Sequence, residues 1–296
     1  MSRQFDFQDL REYGFGIVDA TMVEGLPQGL CAEPLVPRRL MQSAHLMPRL
    51  IDFRRTPIAQ QDLLFDCLSK SFGKSEPPAV ALFIKSESIA TDIARHWNAM
   101  QFAQPRLGRK VWLRLHDPRV LHQLLGILNP VQRRKLIGKS QAFSYWLGGE
   151  WVTTMIDLDP LPSAPSSTQR GAELYAGPAK WDWNRIERIG LVNRALHGAG
   201  LQDMATLTSA SLLAEQLMER AAGSYGLVDH ADLVEFATRG LKTHPNFDKH
   251  PSVAHLIMRD DRSAEQSSLY DRLALIEERV WNALSESNDT PQESRP

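Results

Sequence analysis

Residues 111–128 read Val-Trp-Leu-Arg-Leu-His-Asp-Pro-Arg-Val-Leu-His-Gln-Leu-Leu-Gly-Ile-Leu, and the hydrophobic period changes in the middle of this stretch. From Val111 to His116, apolar residues alternate with other side chains, which is typical of a β-strand with two different faces. After the change, leucines recur at the spacing of a helix. Between them, Asp117 can accept amide hydrogen bonds as an N-cap, and Pro118 suits the first helical position. The stretch therefore predicts a strand, a cap and a helix in succession.

The sequence on both sides of this stretch predicts further strands and helices. Short apolar runs at Phe15–Ala20 and Ala79–Ile84 are typical of buried strands. Apolar residues recur at helical spacing from Ile89, and Asn129-Pro130 repeats the device of a cap followed by proline. Gly148-Gly149 lies between two more apolar runs and predicts a tight hairpin. The first half of the chain therefore mixes strands with helices.

The second half of the chain has helical periodicity throughout, and its most regular apolar stripe extends from Leu269 to Leu284. The two halves are separated by a segment rich in proline, serine and glycine, which supports neither helix nor strand. The last dozen residues are polar and cannot bury enough surface to become ordered. We therefore expect an α/β (α+β) lobe over 1–156, a linker over 157–180, an all-α helical lobe over 181–284 and a loose tail over 285–296.

Composition narrows the classes of protein to which this chain can belong. Its 34 Lys and Arg residues balance 35 Asp and Glu residues, so there is no chain-wide positive field of the kind that collects nucleic acid. Two cysteines, Cys31 and Cys67, are too few for a disulfide framework and are typical of a reducing compartment. No apolar run could cross a bilayer, and the first residues lack the apolar stretch of a secretory signal. We expect a cytoplasmic protein outside the membrane.

Motifs that carry chemistry are incomplete. Gly73-Lys74-Ser75 and Gly138-Lys139-Ser140 resemble the end of a phosphate-binding loop, but each lacks the earlier glycine that lets backbone amides surround a phosphate. His244, Asp248 and His250 are metal-ligand types at close spacing, yet the neighbouring prolines favour a turn that leads into a helix. We therefore expect no catalytic, metal-binding or cofactor-binding residues, and no cofactor.

The strongest charge feature is the segment 101–140, which carries nine basic residues against the single acid Asp117. One interpretation is a solvated face that acids elsewhere in the fold neutralise. Another is a docking surface for an acidic protein partner, since complementary charge speeds and orients encounter. Nucleic acid is a third, although Trp112 is the only aromatic side chain interleaved with these cations for stacking on bases. The residues that we assign to a partner-binding surface are Arg106, Arg109, Lys110, Arg114, Arg133, Arg134 and Lys135.

Several segments, in order along the chain, resemble the type VI secretion adaptor proteins, the effector chaperones of the Tap or Tec kind, formerly a domain of unknown function. The most specific is Trp112–Leu121, which is similar to the family's strand followed by Asp-Pro-Arg-Val-Leu. The other similar segments are Gly16–Ala20, Leu46–Ile51, Ile89–Phe102, Arg220–Leu227 and Asn246–Asp248 with Pro251.

The resemblance implies a cytoplasmic protein that is not an enzyme. It would bind a toxin effector and load it onto the spike protein of the type VI secretion system, with no nucleic acid or membrane as partner. Asp117, Pro118 and Arg119 form the family marker, which we interpret as structural: a cap, a proline and an arginine tied to the lobe. Two alternatives stay open. One is an enzyme with a cleft between the lobes, using His116 and Asp117 at the strand-to-helix junction, and the other is a nucleic-acid-binding protein using the segment 101–140.

Overall fold

The computed structural model describes residues 12–30, 32–69, 77–105, 110–155, 178–258 and 267–286. The chain divides into two compact units, Met1–Ile186 and Glu187–Pro296. The first contains the strands and several helices, whereas the second is helical, so the predicted fold class is confirmed. Most of the predicted linker and of the predicted tail lies outside the described residues, and so do Cys31 and Gly73-Lys74-Ser75.

The described part of the first unit is built on a six-stranded antiparallel sheet with the strand order β2-β3-β1-β4-β7-β8. A separate two-stranded ribbon pairs β5 with β6. The strands are β1 (Phe15–Val18), β2 (Ala32–Pro34), β3 (Arg49–Asp52), β4 (Val80–Lys85), β5 (Phe102–Ala103), β6 (Val111–Trp112), β7 (Ala142–Leu147) and β8 (Glu150–Met155).

Helices cover both faces of this sheet. They are α1 (Ile58–Ser69), α2 (Ala90–Met100), α3 (Pro118–Ile127) and α4 (Pro130–Ile137), together with 3-10 helices at Ala20–Gly25, Arg38–Leu46 and Pro178–Lys180. On one face, Leu64 and Phe65 of α1 belong to the same buried cluster as Phe83 of β4. On the other, Trp97 of α2 packs edge-on against Phe143 of β7. Burial on both sides explains why β1 and β4 are almost continuously apolar.

The structure agrees with the prediction for residues 111–128 except at one point. Asp117 caps α3 as predicted, but the strand before it ends at Trp112 instead of continuing to His116. The reason is a turn, since the amide of Asp117 donates to the carbonyl of Arg114 and so takes the chain away from the ladder. Leu113 and Leu115 are still buried, so the alternation correctly predicts burial where it wrongly predicts a longer strand. Because of this turn, the His116 side chain is buried.

Strand β1 is also shorter than the predicted Phe15–Ala20 run. It ends at Val18 because Asp19 caps the 3-10 helix Ala20–Gly25, accepting a hydrogen bond from the amide of Thr21. The predicted hairpin is confirmed, with a two-residue turn of Gly148 and Gly149 at positive φ. The predicted second cap is confirmed too, since Asn129 and Gln132 form a capping box at the start of α4.

The second unit is made of packed helices. They are α5 (Trp183–Ala199), whose first turn belongs to the first unit, α6 (Met204–Tyr225), α7 (His230–Lys242), α8 (Pro251–Ile257), α9 (Leu269–Leu273) and α10 (Glu278–Glu286), with a 3-10 helix at Phe247–Lys249. Phe236 and Phe247 pack against each other in their core with ring centroids 4.9 Å apart and planes tilted by 58°.

The regular apolar stripe from Leu269 to Leu284 forms two helices instead of one. Leu273 is fully buried at the end of α9, and the chain then makes tight turns up to Ile276 before α10 begins. The break brings Trp281 of α10 onto Phe247, at 6.2 Å between ring centroids. The break therefore accompanies a tertiary contact that the spacing of the stripe does not encode.

None of the helices in the described ranges is long and apolar enough to cross a membrane.

Candidate partner-binding site

Asp117 and Arg119 are bound to each other at the start of α3. The Asp117 carboxylate accepts the backbone amide of Arg119 at 3.0 Å, and it accepts two hydrogen bonds from the guanidinium at 3.0 and 2.8 Å. Asp117 is buried, and although burial raises the pKa of its carboxyl, the bonds and the charge of Arg119 lower it overall. Pro118 occupies the first turn of the helix. Both oxygens of the carboxylate are thus used within the fold.

His116 joins this motif to a segment nearly a hundred residues earlier in the chain. Its Nε2 lies 3.2 Å from Oδ2 of Asp19, the carboxylate that caps the 3-10 helix after β1. Burial lowers the pKa of the imidazole, against the opposing charge of Asp19. The pKa of Asp19 is lowered as well, because hydrogen bonds from Thr21 and the nearby positive charges outweigh its partial burial. The pair connects two of the segments that carry the family resemblance.

An Asp–His pair can act as a general base when the imidazole is reachable, and here the imidazole is buried. The His116 side chain is only 4% exposed. Its Nδ1 is buried and has no hydrogen-bond partner among the described residues. The pair therefore joins the 3-10 helix after β1 to the turn before α3.

An aromatic platform lies beside this pair. Trp112 stacks on Phe102 across the two-stranded ribbon, with ring centroids 6.4 Å apart and planes within 7°. Its Nε1 donates to Oε1 of Gln101, which fixes the ring. Trp112 is 37% exposed, so one part of a rigid aromatic side chain is open to a partner. Fixed, partly exposed tryptophans are common anchors of protein interfaces.

The structure separates the predicted basic surface into two groups. Lys110 and Arg114 are exposed on or beside the ribbon, and the guanidinium of Arg114 lies 3.8 Å from Asp19. Arg106 and Arg109 lie outside the described residues. The other group, Arg133, Arg134 and Lys135, is on α4.

The three cations of α4 differ in exposure and in the contacts of their side chains. Arg133 is exposed, and its Nε donates to the carbonyl of Leu128 at 2.8 Å, which holds the side chain near the end of α3. Arg134 is half-buried and has its own interaction partner. Lys135 is exposed. Arg133 and Lys135 are therefore the cations of this helix that face solvent.

The sequence motif Gly138-Lys139-Ser140 is the end of α4. Gly138 is the C-cap with φ of +68°, and a Cβ there would lie 2.6 Å from the imidazole of His96. That imidazole contacts the carbonyl of Leu136 at 2.8 Å. The glycine is thus required by a helix end packed against α2.

The sequence patterns did not predict a buried hydrogen-bond network in the second unit. Asp248, predicted as a turn residue, is 1% exposed and accepts hydrogen bonds from Arg220 and Tyr225, each at 2.9 Å. Burial and Asp248 raise the pKa of Tyr225 to about 12. The one sequence signal for this contact is that all three residues lie in segments that resemble the adaptor family. In the described residues, no group of three potential ligands is placed to hold a metal ion.

A family model described as a domain of unknown function, DUF4123, matches residues 37–135. The matched range contains the ribbon, the Asp117–Arg119 pair, α3 and the first part of α4, including Arg133 and Lys135. No curated protein and no solved structure matches the chain.

Proposed function

We propose that this chain is an adaptor chaperone that binds a toxin effector and loads it onto the spike protein of the type VI secretion system. The observation that carries the proposal is the match of residues 37–135 to DUF4123, a domain family associated with effector adaptors of that system. The ordered segments that resemble the family extend on both sides of the matched range, into both units of the fold.

The geometry of the first unit supports a binding role. His116 is buried against Asp19, and the buried Asp117 is bound to Arg119, so these polar side chains of the resembling segments are engaged within the fold. The side chains that this unit exposes include a fixed tryptophan and several cations, which are residues that anchor protein interfaces and steer acidic partners. On this proposal the protein is not an enzyme and acts in the cytoplasm.

Co-expression with the products of the neighbouring effector and spike genes tests the proposal. We expect the tagged full chain to retain the effector on an affinity column and, with the spike protein added, to form a ternary complex. Copurification with neither protein would contradict the adaptor function. Turnover of a small metabolite by the purified chain would instead favour the enzyme alternative.

A second measurement separates protein from nucleic acid as partner. We expect that a fluorescently labelled DNA or RNA oligonucleotide does not compete with the effector for binding to the chain at physiological salt. Displacement of the effector by such an oligonucleotide would assign the cations to nucleic acid.

A further inference from the structure

The two-stranded ribbon of β5 and β6 has one buried face and one outer face. Phe102 and Trp112 are directly paired, and residues opposite each other in an antiparallel pair have their side chains on the same face. On the other face, Ala103 and Leu113 are only 2% and 4% exposed. The connection between the strands lies beyond Ala103, so Trp112 is toward the end of the ribbon from which the chain continues to α3. The face of Phe102 and Trp112 is therefore the outer face of the ribbon.

Two cations flank Trp112 in the chain. Lys110 lies two residues before it and Arg114 two residues after it, and both are exposed. Because two residues span at most about 7 Å of chain, both cations start close to the aromatic ring. Residues 101–114 contain no Asp or Glu. The outer face of the ribbon thus combines an aromatic centre with positive charge on both sides.

The Asp19 carboxylate lies beside Arg114 but is bound mainly to other groups. One Asp19 oxygen accepts hydrogen bonds from the amide and the hydroxyl of Thr21, at 2.9 and 2.7 Å. The other lies 3.2 Å from Nε2 of His116 and 3.8 Å from the guanidinium of Arg114, and the second distance is too long for a hydrogen bond. The Arg114 side chain is 52% exposed. Its guanidinium can therefore donate hydrogen bonds to a carboxylate of a partner.

The surroundings of the Trp112 ring favour an apolar side chain over a nucleic-acid base as its contact. Phe102 and His116 already pack against the ring, with centroids 6.4 and 6.0 Å from its own. Stacking of bases needs open aromatic faces. The exposed part of a fixed tryptophan is, in contrast, a common anchor for side chains of a partner protein. The cations beside it complement carboxylates, so the face fits an acidic protein segment.

We propose that the outer face of the ribbon binds a segment of the toxin effector in which an apolar side chain lies between carboxylates. The apolar side chain would pack on Trp112, and the carboxylates would pair with Lys110 and Arg114. The inference rests on the proposed function for the identity of the partner. The effector is favoured over the spike protein because an adaptor has to hold its cargo until loading, and packed aromatic anchors slow dissociation.

Hydroxyl-radical footprinting of the unmodified full chain tests this contact without a variant. Trp112 is 37% exposed and should be oxidised in the free chain. The effector encoded by the neighbouring gene should reduce that oxidation at least about threefold, since an anchor residue loses its contact with water. Tyr270 of the second unit, which is 58% exposed, is the internal control and should stay reactive. Effector binding without protection of Trp112 would overturn the proposal and leave the adaptor function standing.

The kinetics of effector binding to variants test the two parts of the contact. Trp112→Ala should raise the Kd at least about tenfold, mainly through faster dissociation. Lys110→Glu with Arg114→Glu should raise it by a similar factor, at least about tenfold, mainly through slower association. If Trp112→Ala fails to fold, the footprint of the unmodified chain still decides. Equal binding by the wild type and both ribbon variants would overturn the proposal.

The matched control variants lie on the second unit and should bind the effector as tightly as the wild type. Tyr270→Ala removes an exposed aromatic ring, and Arg194→Glu with Lys242→Glu makes the same change in net charge as the ribbon double variant. An equal loss in the two charge variants would assign the effect to net charge and overturn the pairing with Lys110 and Arg114.

A phage-displayed library of random twelve-residue peptides, panned on the full chain, tests the recognition chemistry without the effector. We expect enrichment of peptides in which Asp or Glu flanks an apolar residue, and loss of their binding to Trp112→Ala. No such enrichment would contradict the proposed chemistry. If these peptides bind the ribbon but neither effector nor spike protein copurifies with the chain, the ribbon chemistry stands and the adaptor function falls.

Three other outcomes would each replace the effector by a different occupant and so overturn the proposal. The first is protection of Trp112 by the spike protein and not by the effector. The second is binding of a labelled oligonucleotide to the wild type that Trp112→Ala abolishes. The third is a wild-type dimer in sedimentation that Trp112→Ala dissociates, which would assign the ribbon to a second copy of the chain.

Discussion

Asp117 performs two tasks with one carboxylate, capping α3 and holding Arg119. Asp117→Ala removes both, and we expect it to lower the free energy of unfolding by about 1 to 2 kcal/mol, as measured in urea. Asp117→Asn keeps an oxygen for the cap and should cost about half of that, because the Arg119 side chain is half-exposed and the ion pair is screened. Glu187→Ala, an exposed acid on α5, is the control and should be neutral. Equal stability of Asp117→Ala and the wild type would refute the capping role.

His116 should make stability depend on pH between 7 and 5. Its folded pKa is lowered by burial from 6.5, with Asp19, Arg114 and Asp117 as the charged groups that face it. In this range the unfolded chain binds a proton that the folded chain does not, so the free energy of unfolding falls as pH falls, by at most about 1.4 kcal/mol per unit for one proton. Unfolding titrations at several pH values measure the slope.

The His116→Gln variant should have a shallower slope than the wild type over this range. His122, whose pKa burial also lowers, contributes with the same sign, so His122→Gln should remove a separate part of the slope. An unchanged slope in His116→Gln would show that the imidazole has the same pKa in the folded and unfolded states, and would contradict the lowered pKa.

At the scale of an element, α4 places two exposed cations on one short helix. Replacing Arg133 and Lys135 together by glutamate should leave the unfolding transition close to that of the wild type, because both side chains are exposed. We expect the association rate with an acidic partner to fall about tenfold at low salt, as followed by stopped-flow fluorescence. Arg194→Glu with Lys242→Glu, two exposed cations of the second unit, makes the same change in net charge and should leave the rate unchanged. A similar loss in both double variants would assign the effect to net charge alone.

The break between α9 and α10 makes two neighbouring leucines unequal. Leu273 is fully buried at the end of α9, whereas Leu275 in the break is 69% exposed. Leu273→Ala should therefore cost about 3 kcal/mol of unfolding free energy, and Leu275→Ala close to zero. Thermal and urea unfolding of the two variants measure the difference. Equal losses would contradict the placement of the break.

At the scale of the whole molecule, charge is unevenly distributed along the chain. Residues 1–160 carry 20 basic and 16 acidic side chains, a net +4, and residues 161–296 carry 14 and 19, a net −5. Raising salt from about 0.05 to 0.5 M shortens the screening length to a few ångströms, so long-range attraction disappears. We expect the association rate with the effector to fall at least about fivefold over this range, while the dissociation rate changes little. A rate that is insensitive to salt would exclude steering by the basic surface.

The sequence by itself determined many of the elements and their order, although it did not predict β2, β3, β5 or α1. The change of period at Asp117, the hairpin at Gly148-Gly149 and the helical second half are all encoded locally, in caps, turn residues and the spacing of apolar side chains. The resemblance to the secretion adaptors also comes from the sequence, because short motifs in a fixed order can be recognised without knowledge of tertiary contacts. Its errors, the strand after Val111 and the single helix from Leu269, lie where apolar spacing continues but a turn intervenes.

Only the tertiary structure decided which distant residues meet. The pairing of Asp19 with His116, the buried contact of Asp248 with Arg220, and the position of β8 at the edge of the sheet each join or expose residues far apart in the chain. Sequence patterns report the periodicity of one segment, whereas strand order and burial follow from how all segments share one core. For that reason the predicted basic segment became two separate groups, and only the fold shows that β8 is an outer strand of the sheet.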